Sequence, residues 1–329
     1  MRLERRLEEL LRRYRGSVPG AGVLVLLNGE PIVRHALGMA DLELEVPSTS
    51  TTNYRLASLT KQFTAAAVLM LSEEGVLSLD DPVSNWLPSL PEFGAGATLR
   101  HLLTHTSGLL DYEELIPPER AAPVRDADVL RLIESEKRTH FPPGTDYRYS
   151  NGGYALLALV VQAASGLSFA SFLRDRIFMP LGMSGTVAHE EGVSTVVNRA
   201  YGYSPVDGGW KRTDQNLTSA VLGDGGVYSS IEDLAKWDAA LCDDRLLRLE
   251  SLRLAFTPAT ATDDPATNYG FGWRITGETV WHSGESIGFR NVIVRWPERR
   301  LTVMLLTNRD EPEPYPTALA IAKLVSPRC

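Results

Sequence analysis

Lysine is scarce in this chain. Lys61, Lys137, Lys211, Lys236 and Lys323 are the only five, and Lys61 alone has a serine three residues before it, in Ser58–Leu59–Thr60–Lys61. A serine hydroxyl is a weak nucleophile until a neighbour takes its proton. Spacing of i and i+3 puts two side chains on one face of a helix. The apolar run at residues 65–71 that follows predicts a buried helix. A lysine buried at a helix N-terminus can be a neutral amine, since desolvation and the positive helix end both disfavour an ammonium. The same helix start offers unpaired backbone N–H groups, that of Ser58 among them, to a developing oxyanion. Taken alone, the four residues also fit a capping serine beside a solvated lysine.

Two further clusters lie downstream. Tyr149–Ser150–Asn151 falls between the Pro142–Pro143–Gly144 turn and a helix start at Gly152–Gly153. A tyrosine held near a serine and a lysine can relay protons, and an amide can orient lysine or substrate. Asn151 as a helix cap and Tyr149 as a packed ring fit the same residues. His282–Ser283–Gly284 sits in a strand-like stretch that starts at Glu278. A strand carrying a small residue can lie along a substrate and donate backbone N–H groups to it.

In this order and spacing the three clusters resemble the serine β-lactamase and penicillin-binding-protein superfamily, which carries a Ser-x-x-Lys motif and two supporting motifs. They look most like its branch of class C β-lactamases, D-aminopeptidases and related esterases. Leu102–Leu103–Thr104–His105–Thr106–Ser107–Gly108–Leu109 and Gly223–Asp224–Gly225–Gly226–Val227–Tyr228–Ser229–Ser230 support the resemblance, as do Gly270–Phe271–Gly272–Trp273 and Gly288–Phe289. It extends over roughly residues 17–325. The resemblance implies that Ser58 is acylated, that Lys61 activates it or shares its proton, and that Tyr149 serves as base and then as acid toward the leaving group. It implies that Asn151 orients lysine and substrate, that His282, Ser283 and Gly284 line the substrate, and that the N–H groups of Ser58 and Glu285 form the oxyanion hole. It implies neither metal nor cofactor. Two positions depart from the β-lactamase pattern. His282 stands where those enzymes usually carry lysine, and histidine is mostly neutral near pH 7. Glu285 adds an acidic side chain directly after the motif. Both point away from anionic β-lactams and toward esters.

Other signals lead elsewhere. Gly284–Glu285–Ser286–Ile287–Gly288 spells Gly-x-Ser-x-Gly, but that motif needs a following helix and a later histidine. Here a strand pattern follows, and His282 is the last histidine. His101 and His105 stand four apart without the glutamate of a His-Glu-x-x-His site, so a structural role is expected for both. Trp86, Trp210 and Trp273 are assigned to packing, and Cys242 and Cys329 to no chemistry.

The elements that must position these residues can be read from apolar patterning. Residues 21–27 read as a buried strand, Asn28–Gly29 as its turn, and Ile32–Val33 onward as its hairpin partner. Residues 291–296 and 301–306 form a second hairpin, and a helix over 315–325 closes the chain. Helices are expected from Ser58 to Glu74, from Gly152 to Ser165 and from Ile231 to Leu241. The fold class is therefore α+β: an antiparallel sheet built from both chain ends, flanked by helices, with a mostly helical inserted lobe. The resemblance implies that all 329 residues form one β-lactamase/transpeptidase-like domain, its α/β lobe at about 1–75 and 215–329 and its helical lobe at about 76–214.

With a net charge of −8 the surface repels phosphate backbones, which argues against nucleic acid as a partner. The arginines at residues 2–15 alternate with glutamates and leucines, the pattern of an amphipathic helix. No apolar run approaches the roughly 20 residues of a membrane span. The N-terminus lacks a leader pattern, so a cytoplasmic protein is expected. The expected function is a serine hydrolase for small or medium acyl esters, its partner a small-molecule ester or amide and its oligomeric state open. A D-amino-acid peptidase, a weak β-lactamase and an acyltransferase are the alternatives within the class. A non-catalytic ligand-binding scaffold is the rival outside it.

Overall fold

The computed structural model describes residues 2–91 and 96–326, so Cys329 falls outside the described residues. The chain begins with α1 (Arg2–Leu11), followed by the hairpin β1 (Ala21–Leu27) and β2 (Glu30–Leu37). The main helices of the interior are α2 (Lys61–Glu73), α3 (Asn151–Ser165) and α4 (Ile231–Ala240). Strands β3 (Thr260–Ala261), β4 (Thr267–Tyr269), β5 (Arg274–Thr276), β6 (Thr279–Ser286), β7 (Phe289–Trp296) and β8 (Leu301–Thr307) precede the last helix, α5 (Tyr315–Val325). The eight strands make one sheet in the order β3-β4-β5-β6-β7-β8-β1-β2. Its pairings are antiparallel, with Val23 opposite Leu305 and Gly284 opposite Asn291. The two chain ends meet where β1 pairs with β8.

The central strands read as continuous apolar runs because both faces of the sheet are covered. Val23, Val25, Val292, Val294, Val303 and Leu305 pack with Leu7 and Leu11 of α1 and with Ala318 and Ile321 of α5. Leu24, Leu26, Ile293, Met304 and Leu306 belong to the other core, with Phe63 and Val68 of α2, Leu156 of α3 and Trp237 of α4. The alternation follows from the two-residue period of a strand. Helix α2 lies in the middle of this second core and is buried all round from Lys61 to Leu71. A helix without a wet face matches its run of alanine, valine and leucine. It ends at Glu73 with Glu74 as its cap, and Gly75 takes the left-handed conformation that follows many helix ends, at φ +71°.

Between α2 and α4 lie α3, short helices at Leu99–Leu103, Asp126–Glu134 and Phe169–Leu173, a small hairpin, Tyr203–Val206 with Gly209–Arg212, and long stretches that are neither helix nor strand. The arginine-rich start does form an amphipathic surface helix, anchored by Leu7, Leu11 and Tyr14. Among the described residues no single helix is long and apolar enough to cross a membrane.

Candidate active site

Ser58 lies in a 3₁₀ turn, Ala57–Thr60, and the α-helix proper starts at Lys61. The expected helix start at Ser58 is thus a tighter turn. With three residues per turn, i and i+3 eclipse each other, which brings the lysine under the serine. Ala57, directly before Ser58, has φ +49°, a left-handed conformation that a residue with a Cβ adopts only under constraint. The constraint is visible on both sides. Leu56 N–H donates to the Val227 carbonyl at 2.8 Å, and Asn291 Nδ2 donates to the Arg55 carbonyl at 2.8 Å. Gly284 of β6 faces the same turn so closely that a Cβ there would lie 2.0 Å from the Leu56 carbonyl oxygen. The third motif needs glycine for this approach.

Lys61 is fully buried. Its Nζ donates to Ser58 Oγ at 2.9 Å, to Asn151 Oδ1 at 2.8 Å and to the Asp224 carbonyl at 3.0 Å. The last two oxygens only accept, so they take two N–H bonds. The remaining tetrahedral position points at Ser58 Oγ. It holds an N–H in the ammonium and a lone pair in the amine, so the nitrogen can exchange a proton with Ser58 without moving.

Asn151 was expected either to cap α3 or to orient lysine. The cap is Ser150, whose Oγ accepts from Gly153 N–H, and this leaves the Asn151 side chain free for Lys61. Its Nδ2 donates to Glu113 Oε1 at 2.9 Å, which fixes the orientation of the amide. The Tyr149 ring has its centroid 5.0 Å from Lys61 Nζ and 4.3 Å from that of His105. His105 Nδ1 accepts from Ser150 N–H. Its pKa is held well below the usual value by burial and then by the nearby charges of Lys61 and Arg274. His105 is therefore a neutral support for the Tyr149 loop.

His282 is buried within β6. It is 1% exposed, its Nδ1–H donates to the Ser283 carbonyl at 2.6 Å, and its Nε2 accepts from Tyr269 OH at 3.0 Å. Burial, and then Arg274 and Lys61, push its pKa well down, so the ring is neutral. Both ring nitrogens are used inside the protein. Ser283 is half-buried, with its hydroxyl 3.4 Å from Glu285 Oε1.

A cavity of about 230 Å³ opens over Ser58. Asn151, Gly225 and Glu285 line it, so the turn and the end of β6 converge on one space. Arg55, Glu113, Asn216, Thr218, Asp224 and Ser286 line it too, and sequence reasoning did not assign these to the site. Asp224 lay within the Gly223–Asp224–Gly225–Gly226 stretch, a signal that could have pointed to it. Glu113 and Asn216 carried none. Asp224 is buried with Tyr112 OH donating to its Oδ2 at 3.1 Å, and burial lifts its pKa to about 7 against the opposing charge of Lys61. Burial, and then Asp111, also raise the pKa of Glu113. Grooves of about 550 and 520 Å³ lie elsewhere, one by Arg295 and Trp296 and one between α1 and α5, and share no lining residue with this cavity.

A serine within hydrogen-bond reach of a buried lysine, at the foot of a polar cavity, is an arrangement for acyl transfer. Known proteins resemble this chain over most of its length. Penicillin-binding protein 4* of Bacillus subtilis is 32% identical over 316 residues, which cover 90% of this chain and 70% of that protein. A D-aminopeptidase of Gluconobacter oxydans is 32% identical over 93% of this chain, which spans only 58% of the enzyme's length. Among solved structures, D-amino acid amidase from Ochrobactrum anthropi superposes with a TM-score of 0.83 at 27% identity, over 98% of this chain and 99% of that one. The model of the Beta-lactamase family matches residues 3–326, and with that match the chain belongs to the Beta-lactamase family of serine hydrolases.

Proposed function

We propose that this chain hydrolyses small or medium acyl esters through an acyl-enzyme on Ser58. The observation that carries the proposal is the 2.9 Å hydrogen bond between Lys61 and Ser58 at the foot of the cavity. In the first half-reaction Ser58 Oγ bonds to the ester carbonyl carbon and its proton passes to the Lys61–Tyr149 pair. The carbonyl oxygen becomes an oxyanion facing the N–H groups of Ser58 and Glu285. The tetrahedral adduct then collapses, the ester C–O bond breaks, and the proton goes to the departing alkoxide. In the second half water repeats the attack, its proton returns through the same groups, and the acid and free Ser58 are released. Asn151 keeps the lysine nitrogen aimed. No step calls on a metal or cofactor.

A second reading concerns the acyl group. Glu113 and Glu285 both line the cavity, and a carboxylate near a reacting carbonyl favours a cationic substituent over an anionic one. Among the described residues that line the cavity, Arg55 is the one basic side chain, with Lys61 beneath Ser58. This favours amides and esters of amino acids with a free ammonium, the chemistry named in the D-aminopeptidase and D-amino acid amidase relatives.

One preparation should be assayed with p-nitrophenyl butyrate, D-alanyl p-nitroanilide and a chromogenic cephalosporin. Ester hydrolysis with little cephalosporin turnover is expected, and cephalosporin cleavage far faster than ester cleavage overturns the proposal. Glu113→Gln should lower D-alanyl anilide turnover by about tenfold relative to the butyrate ester if the amine reading is right. A fluorophosphonate probe should label Ser58. Label on Ser286 would move the nucleophile, and no label on a folded protein would favour the non-catalytic scaffold.

A further inference from the structure

The third motif of this chain has no permanent cation, since His282 is buried and neutral. A guanidinium from the neighbouring strand lies close by. Arg274 of β5 stands directly opposite Trp281 across the ladder to β6. Its guanidinium carbon is 5.4 Å from the centroid of the Tyr149 ring and 5.6 Å from that of Trp281.

We propose that Arg274 is a positioning residue for the reaction, a cation on the Tyr149 ring that holds the tyrosine where it can take part in the transfer of the Ser58 proton. The inference rests on the reading of Tyr149 as the proton acceptor.

Three observations carry it. First, packing alone is a poor reason for a charge at this place. The Nε of Arg274 is buried without a hydrogen-bond partner, and leaving such a group unsatisfied is costly. Asp264 feels its charge but accepts from Ala266 N–H and the Thr267 hydroxyl instead. Second, the rings packed around Tyr149 and His105 carry no charge. His105 and His282 are kept uncharged, and Tyr147 and Tyr269 complete the sheath around Tyr149 and His105. Third, Tyr149 is thereby bracketed by two basic groups, Lys61 Nζ at 5.0 Å from the ring centroid and Arg274 at 5.4 Å. A guanidinium over a phenol ring is attracted by the ring itself, and this contact holds the ring in place.

The test uses the neutral substrate p-nitrophenyl butyrate, so that no substrate carboxylate can seek the arginine. Arg274→Ala and Arg274→Gln should each lower kcat by about 10- to 100-fold with KM within about twofold. The glutamine keeps part of the stem packed on the rings, and both variants should melt near the parent. Arg274→Lys should recover most of the loss. In a Tyr149→Phe background, Arg274→Ala should cost almost nothing more, because the group it acts through is gone. An equal loss in both backgrounds overturns the proposal, as does a raised KM at unchanged kcat, which would make Arg274 a substrate contact. Near-normal kcat in Tyr149→Phe itself overturns the reading of Tyr149, a result separable from normal activity in Arg274→Ala beside an inactive Tyr149→Phe, which overturns only the role of the arginine.

Discussion

Two buried cations occupy opposite ends of the same sheet. Arg295 lies on β7 opposite Val280 at the start of β6, and its Nε donates to Asp238 Oδ1 of α4 at 2.7 Å. The two side chains are 5% and 7% exposed, and the Thr302 hydroxyl donates to the same carboxylate oxygen. Lys61 lies near the other end of β6, where Gly284 meets the nucleophile turn. Its three partners are a hydroxyl, an amide oxygen and a peptide oxygen, and among the described residues it forms no ion pair within 4 Å. A carboxylate partner fixes a buried charge, because neither ion can lose its charge without stranding the other. Neutral oxygens hold a nitrogen in position and leave its proton free to move. The first arrangement clamps α4 to the sheet, and the second prepares a reaction.

The contrast predicts opposite phenotypes. Lys61→Ala and Ser58→Ala should each reduce kcat/KM for the ester by at least about 10³-fold, and by similar amounts, since the two act as a unit. Their melting temperatures should equal or exceed that of the parent, because a buried amine with neutral partners is a poor source of stability. Near-normal turnover in Lys61→Ala would erase the distinction.

Asp238→Ala should do the reverse. Stranding Arg295 should cost about 3–5 kcal/mol of folding stability in urea denaturation. The kcat of the protein that remains folded should stay within about twofold. Replacing both partners, as Asp238→Leu with Arg295→Met, should recover much of the stability. A double variant no better than the single one would show that the pair stabilises beyond mutual neutralisation.

How much of this was legible in the sequence depends on what each feature rests on. The hairpin over residues 21–37 and the closing helix at 315–325 were legible because local patterning dictates them, through a turn pair between apolar runs and a long apolar helix. Ser58 and Lys61 were legible through a short spacing along one chain segment. Glu113, Asn216 and Arg274 were not, because each reaches the site across tertiary distances that no local period encodes. The cap of α3 shows the limit of a local rule. Ser150 and Asn151 both suit an N-cap, and only the presence of Lys61 determines that the serine takes it. His282 shows a second limit: its type signalled a neutral group, but its buried hydrogen bond depends on Tyr269, thirteen residues earlier.

Gly284→Ala sharpens the comparison at the catalytic end. Its Cβ would meet the Leu56 carbonyl at 2.0 Å, a clash with backbone that no rotamer relieves. The strand must back away from the turn, which widens the gap between the N–H groups of Ser58 and Glu285. A fall in kcat of about 10- to 100-fold is expected, with a stability loss of about 1–3 kcal/mol. Unchanged kcat would mean that the approach of β6 to the turn serves packing alone.

The smallest expected effect concerns a carboxyl at the lysine's own end of the sheet. Asp224 offers its peptide oxygen to Lys61, while its carboxyl is buried against Tyr112 and has a pKa raised to about 7. A carboxyl whose folded-state pKa lies above its unfolded value of roughly 3.9 holds its proton more tightly in the folded protein. Its contribution to stability is full below about pH 4 and is lost as pH rises through about 7. Asp126, raised by burial to about 6, adds a contribution of the same sign. Asp224→Asn removes the first of these. The fall in unfolding free energy between pH 5 and pH 8 should therefore be shallower in the variant, by on the order of 2 kcal/mol. At pH 5 the two proteins should agree within about 1 kcal/mol, and at pH 8 the variant should be the more stable. If the two pH profiles run parallel, Asp224 is ionised in the folded protein. Lys61 would then have a carboxylate counter-ion after all, and the two ends of the sheet would differ less than their hydrogen bonds indicate.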